Sequence, residues 1–161
     1  MINIVLLGGS NSVVVDGLSA GLNQKHIKLT NLALGGTSSL QNLYELYRVK
    51  NQNIIQDVDF IITESNINDI HHNRPMESLP LENIYRNLKL YFSKLSILKK
   101  KIIVLILPET SIRKKTMILN AVLLIFSLNW GMIVVSCILC IRIKKLLIIF
   151  IENYLMSMVL M

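Results

Sequence analysis

Cysteine, aromatic residues and histidine are scarce in this chain of 161 residues, and each scarcity removes a class of protein. The only cysteines, Cys137 and Cys140, stand in an apolar run as Cys-Ile-Leu-Cys. No second Cys/His pair follows them, so no zinc site is completed and no metal is expected; two buried, unreactive thiols account for the pair. One Trp, five Tyr and four Phe do not interleave with the basic residues, which argues against a nucleic-acid face. No Gly-Lys-Ser/Thr pattern follows the glycine-rich opening, which argues against a nucleotide phosphate, and no cofactor is expected. Histidine occurs at His26, His71 and His72 alone, and neither Asp nor His occurs after Pro108. The first apolar run is short, has no basic residues before it and leads straight into a turn. It does not read as a secretory signal, and the expectation is a cytoplasmic protein unless the tail anchors it.

The length suits one domain with a sizeable core. Apolar residues make up 52% of the chain, which is high for a soluble domain, and the excess is uneven. Residues 1–109 hold 11 Lys/Arg against 9 Asp/Glu, whereas residues 110–161 hold six Lys/Arg and one acid, Glu152. The basic net charge of +7 therefore belongs mainly to the tail.

Residues 2–7 have strand length and composition and stop at Gly8-Gly9, followed by Ser10-Asn11-Ser12. Residues 13–24 carry apolar positions at a near-helical spacing. Residues 27–34 read as a second strand ending in Gly35-Gly36-Thr37-Ser38-Ser39. Residues 40–49 read as an amphipathic helix, and 58–63 as a third strand before the polar run 64–69. Residues 81–98 form a long amphipathic helix closed by three lysines, and 102–107 read as a strand buried on both faces. This alternation predicts an α/β fold, a three-layer sandwich around a parallel sheet of four or five strands. In such sheets ligands bind at the carboxyl ends of the strands, so the loops 8–12, 35–39 and 64–69 should share one edge.

Those loops carry a set of reacting groups. Ser10 places a hydroxyl after a strand and at a helix start, a position that suits a nucleophile or an anion-binding turn. The N–H of Gly36 can approach a substrate oxygen closely, and Asn68 adds a side-chain amide donor. A hydroxyl with three converging donors, the N–H groups of Ser10 and Gly36 and the Asn68 amide, is what acyl transfer requires. Read without those partners, the serines cap a helix and the glycines permit tight turns. Asp69 pairs with Arg74 or caps a turn, and Glu64 either orients its loop or faces solvent.

Taken together, the segments Gly8-Gly9-Ser10, Asn31-Leu32-Ala33-Leu34-Gly35-Gly36-Thr37-Ser38 and Asn66-Ile67-Asn68-Asp69 resemble three blocks of the SGNH/GDSL hydrolases. Gly9 stands for the acidic residue of Gly-Asp-Ser, and Asn66 for the glycine of Gly-x-Asn-Asp. The resemblance covers residues 1 to about 108. It implies the flavodoxin-like SGNH fold, a serine esterase or acyltransferase activity on small-molecule, glycan or lipid acyl esters, Ser10 as nucleophile, and Gly36 and Asn68 as oxyanion donors. The family's fourth block, Asp-x-x-His, has no counterpart after Pro108. His71 and His72, just beyond Asn68-Asp69, are the candidates for a surrogate base; the bland alternative is two solvated loop residues. His26 should lie on the opposite edge of the sheet.

The chain thus divides at about residue 109 into an SGNH-like α/β part, 1–109, and an atypical hydrophobic tail, 110–161. Residues 117–141 hold no charge and have basic flanks, so three readings stand: a membrane span, a buried helix (117–128) followed by a fifth strand (131–137), or the product of a shifted reading frame. The alternative to an esterase is a non-catalytic, membrane-associated or truncated remnant that keeps the sheet.

Overall fold

The computed structural model describes residues 1–64, 67–69, 81–106 and 133–136. Five strands, β1 (Ile2–Leu7), β2 (Ile27–Asn31), β3 (Phe60–Glu64), β4 (Lys101–Ile106) and β5 (Ile133–Ser136), form one parallel sheet in the order β2-β1-β3-β4-β5. The helical segments are α1 (Ser10–Val13), α2 (Leu18–Gly21), α3 (Ser39–Tyr47), α4 (Val49–Asp57) and α5 (Leu81–Ile97), with a 3₁₀ turn at Ile67–Asp69. The α/β class, the parallel sheet and the strand–helix alternation are those expected from the sequence.

The apolar runs become strands because parallel strands covered on both faces have no polar side to show. In β1, Val5 and Leu7 point to one face with Ile61, Ile102 and Val104; they meet Leu46 of α3, Ile55 of α4, and Ile84, Leu88, Tyr91, Phe92 and Leu95 of α5. Ile2, Ile4 and Leu6 point to the other face with Phe60, Ile62, Ile103 and Leu105, where Leu22 packs and Leu18 of α2 lies against the cluster. The stripe on α5 recurs at three- and four-residue steps, so this helix lies along the sheet. Tyr91 carries its hydroxyl into that core and pairs it with Thr63 Oγ1 at 2.8 Å.

Two predicted helices differ from the structure. The helix expected over 13–24 is two single turns, because the chain leaves helical geometry at Val14 (φ −61°, ψ 156°) and closes through a Gly17 N–H to Val14 O bond of 2.7 Å. The helix expected over 40–49 ends at Tyr47, and α4 follows at once, a helix the hydrophobic pattern did not announce. Its buried positions are Asn51 and Ile55, so half of its inward stripe is polar. Asn51 Nδ2 donates to the backbone oxygen of Glu45 at 3.0 Å and to its carboxylate at 2.7 Å, and Arg48 bonds the same carboxylate at 2.9 Å. These bonds secure the joint between α3 and α4. The second strand also stops early, at Asn31 rather than residue 34, and the third runs one residue later, through Glu64.

Within the tail, Ile133–Ser136 pairs with β4 in parallel, from Ile103↔Ile133 to Ile106↔Ser136. This corrects the reading of 117–141 as one membrane-spanning helix: β4 is an apolar strand with an edge to satisfy, and the tail supplies the neighbour. The strand expected over 131–137 agrees with β5. Among the described residues no helix is long and apolar enough to cross a membrane. The helix expected over 117–128 lies outside the described residues.

The core predicts a sharp contrast on α5. Leu88→Ala, at a position 2% exposed, should cost about 3 kcal/mol through lost burial and a residual cavity. Leu90→Ala, at a position 53% exposed, should stay within about 0.5 kcal/mol of the parent. Urea unfolding followed by circular dichroism measures both.

Candidate active site

The sheet reverses its winding at β1, which has β2 on one side and β3 on the other. The chain leaving β1 therefore packs on one face of the sheet and the chain leaving β2 and β3 on the other, and such a switch point is where parallel sheets bind ligands. Ser10 stands on the first of these loops, Gly36 on the second and Asn68 on the third.

β1 ends at Leu7, and the chain passes through the buried Gly8 and Gly9 into Ser10, the half-buried first residue of α1. A Cβ on Gly8 would overlap Ser12 Oγ and lie 2.9 Å from both Cγ and Oε1 of Glu64, so a side chain there would have to displace Ser12 and Glu64. The Gly9 N–H donates to Glu64 Oε1 at 2.6 Å. Burial pushes the Glu64 carboxyl above its ordinary pKa; the bond from Gly9 and the Ser12 hydroxyl and N–H, which face the same carboxylate, pull less strongly the other way. Ser12 is itself buried, and its Oγ makes no hydrogen bond of regular geometry among the described residues. Because α1 is a single turn, little helix dipole reaches Ser10, and the field expected from a long helix is absent.

The second loop is fastened to the first. The Leu32 N–H donates to Leu6 O at 2.9 Å and the Leu34 N–H to Gly8 O at 3.2 Å. Gly36 has φ +69°, a left-handed conformation, while a Cβ there would meet nothing within 4 Å. Backbone geometry, not space, therefore favours glycine at this position.

The third loop is fastened to the second. Asn68 Nδ2 donates to Thr37 O at 2.8 Å. Asp69 Oδ1 accepts both the N–H and the hydroxyl of Ser39 at 2.9 Å each, which caps the start of α3 from a residue 30 positions away. Asp69 is buried and its Oδ2 has no hydrogen-bond partner among the described residues. Desolvation outweighs the two bonds from Ser39 and lifts the Asp69 pKa to about 6.

Of the residues marked in the sequence, Ser10, Gly36 and Asn68 thus stand on three adjacent loops that are hydrogen-bonded to one another. His71 and His72 lie outside the described residues. His26 is at the other edge, where its carbonyl accepts the Ile2 N–H at 2.8 Å. Among the described residues no group of three or more His, Cys, Asp or Glu could hold a metal ion. Two functional-looking carboxylates were not assigned by sequence reasoning. Glu64 is the last residue of β3 and faces inward, whereas the predicted strand stopped one residue short of it. Asp69 binds Ser39, a pairing that sequence distance conceals; its one outward signal was a carboxylate directly after the asparagine.

Asp69 gives a pH dependence of defined sign. Its folded pKa is raised, so its contribution to stability is fully present below the unfolded value of 3.8 and is lost as pH rises through about 6. The parent should therefore lose about 2 kcal/mol relative to Asp69→Asn between pH 4 and pH 6.5. Urea midpoints of the two proteins across that range measure the difference.

Comparison of the sequence with protein-family models and with curated proteins finds no match. Solved structures do resemble the fold. A member of the lipolytic G-D-S-L family from Veillonella parvula superposes with a TM-score of 0.62 at 15% identity, covering 84% of this chain and 78% of its own. The lipase/acylhydrolase from Enterococcus faecalis gives 0.59 at 18% identity over 83% and 75%. An acetylxylan esterase from Geobacillus stearothermophilus gives 0.64 at 14% identity over 83% and 75%. The chain therefore has the fold of the SGNH/GDSL lipases and acylhydrolases, the family that its three loop segments resemble.

Proposed function

We propose that this chain is a serine-dependent ester hydrolase or acyltransferase, acting on O-acyl groups of a glycan, a lipid or a small alcohol. Ser10 is the nucleophile, and its own N–H, the Gly36 N–H and the Asn68 amide are the donors to the oxyanion. The observation that carries the reading is the cross-bonding of the three loops: Leu34 to Gly8, Gly9 to Glu64, Asn68 to Thr37, and Ser39 to Asp69. Donors held by such bonds need little reorganisation when charge develops, which is the main requirement for stabilising a tetrahedral intermediate. The bond to Thr37 O orients the Asn68 amide.

In this reading Ser10 Oγ attacks the ester carbonyl while its proton passes to a base. The carbonyl oxygen becomes the oxyanion, the alcohol departs with a proton, and water or a second alcohol then takes the acyl group from Ser10. His71 or His72 is the base. The exposed Val13 and Leu34 support an apolar acyl group: Val13 is one helical turn from Ser10, and its Cγ2 would lie 3.7 Å from a Cβ on Gly35. The lipase and acetylxylan esterase neighbours support the breadth of the substrate class.

Hydrolysis of p-nitrophenyl acetate and butyrate tests the proposal. Ser10→Ala should lower the rate by at least about 10³-fold, and one of His71→Ala and His72→Ala should have a comparable effect. Hydrolysis unchanged in Ser10→Ala would remove Ser10 from this role. A second reading, a protein with this fold and no turnover, is favoured by one observation: no Asp or His follows Pro108. It expects every variant to hydrolyse at the solvent rate and Ser10 to resist a fluorophosphonate label.

A further inference from the structure

We infer that Glu64 is a positioning residue for Ser10, acting through the Gly9 peptide; the inference rests on the reading of Ser10 as nucleophile. Glu64 is 6% exposed, and the only salt bridge among the described residues joins Arg48 to Glu45. A carboxylate buried with no cation among the described residues is expensive to keep. Its surroundings are shaped to it nonetheless. Gly8 has no room for a Cβ because Glu64 and Ser12 fill the space, and the Gly9 N–H donates to Oε1 at 2.6 Å.

The consequence follows from position. β3 is paired with β1, with Leu7 opposite Thr63, so Glu64 is carried by a rigid element directly beside the turn it holds. The Gly9 N–H has no place in the strand ladder and none in α1, and the Glu64 carboxylate satisfies it. Ser10 is the next residue, so a tilt of the Gly9 peptide displaces both the hydroxyl and the Ser10 N–H. A displacement of about 1 Å at a reacting group can cost about 10²-fold in rate. Glu64 bonds the turn and not the substrate, so its loss should lower kcat and leave KM unchanged.

The test compares Glu64→Ala and Glu64→Gln in the full chain, with p-nitrophenyl acetate as substrate and formate as a probe for the lost carboxylate. Glu64→Ala should lower kcat by about 10²-fold with KM within about twofold. Formate should restore at least about tenfold of that loss, move the Gly9 amide resonance, and do neither in the parent. Glu64→Gln keeps an acceptor oxygen without the charge and should lose about three- to tenfold in kcat. A folded Glu64→Ala with parental kcat overturns the inference, as does a loss that formate neither relieves nor registers at Gly9. If Glu64→Ala fails to fold, Glu64→Gln decides, and parental kcat in that variant overturns it. Should Ser10→Ala leave hydrolysis unchanged, the nucleophile reading fails, and with it the inference that rests on it; the response of the Gly9 amide to formate then tells whether the carboxylate still holds the turn.

Discussion

The contact between the Glu64 carboxylate and the Gly9 N–H is the constraint on which the rest of the carboxyl edge depends. A parallel strand that ends in two glycines has no local reason to turn in one way rather than another. Here the turn is set from outside, by an acceptor on the neighbouring strand and by a space at Gly8 too small for a side chain. Once the turn is fixed, the Gly8 carbonyl is available to the Leu34 N–H, and the second loop acquires its own anchor. The third loop then fastens to the second through Asn68 and Thr37. The three loops are thus joined in series by hydrogen bonds.

The polar content of the interior is distributed accordingly. Ser12, Ser39, Thr63, Glu64 and Asp69 are all buried, and all lie near the carboxyl ends of the strands or in the loops that follow them. The sheet beneath them is apolar on both faces. Burying carboxylates this way opposes stability, and their pKa values rise because water no longer solvates the charge. Perturbed carboxylates concentrated at a topological switch point are a recognisable mark of a functional site. Three further buried polar residues, Asn42, Glu45 and Asn51, lie on α3 and α4, where Glu45 and Asn51 fix the joint between the two helices.

The fold was largely legible because its signals are local. Short apolar runs ending in glycine or polar clusters identified β1, β3 and β4, and the apolar stripe of α5 needed only its periodicity. Failures arose where tertiary contacts overruled or replaced the local pattern. The turn at Val14 and Gly17 broke a helix whose apolar spacing was adequate. α4 escaped notice because its inward stripe includes Asn51, which is satisfied by a residue on another helix. The charge-free tail carried no periodicity that could separate a membrane span from a strand, and only pairing with β4 places Ile133–Ser136 in the sheet.

The division between the two levels follows from the range of the forces involved. The sequence alone determined the parallel α/β class and the edge on which loops 8–12, 35–39 and 64–69 would gather, and it offered Ser10, Gly36 and Asn68 as candidates there. These depend on strand length, glycine placement and residue chemistry, all of which are visible within a few positions. Tertiary structure alone decided that Glu64 faces inward to hold Gly9, that Asp69 caps α3 through Ser39, and that the Asn68 amide leans on Thr37. Those bonds join residues 30 or more positions apart, and nothing in a single sequence records which buried donor will find which buried acceptor once the strands have paired.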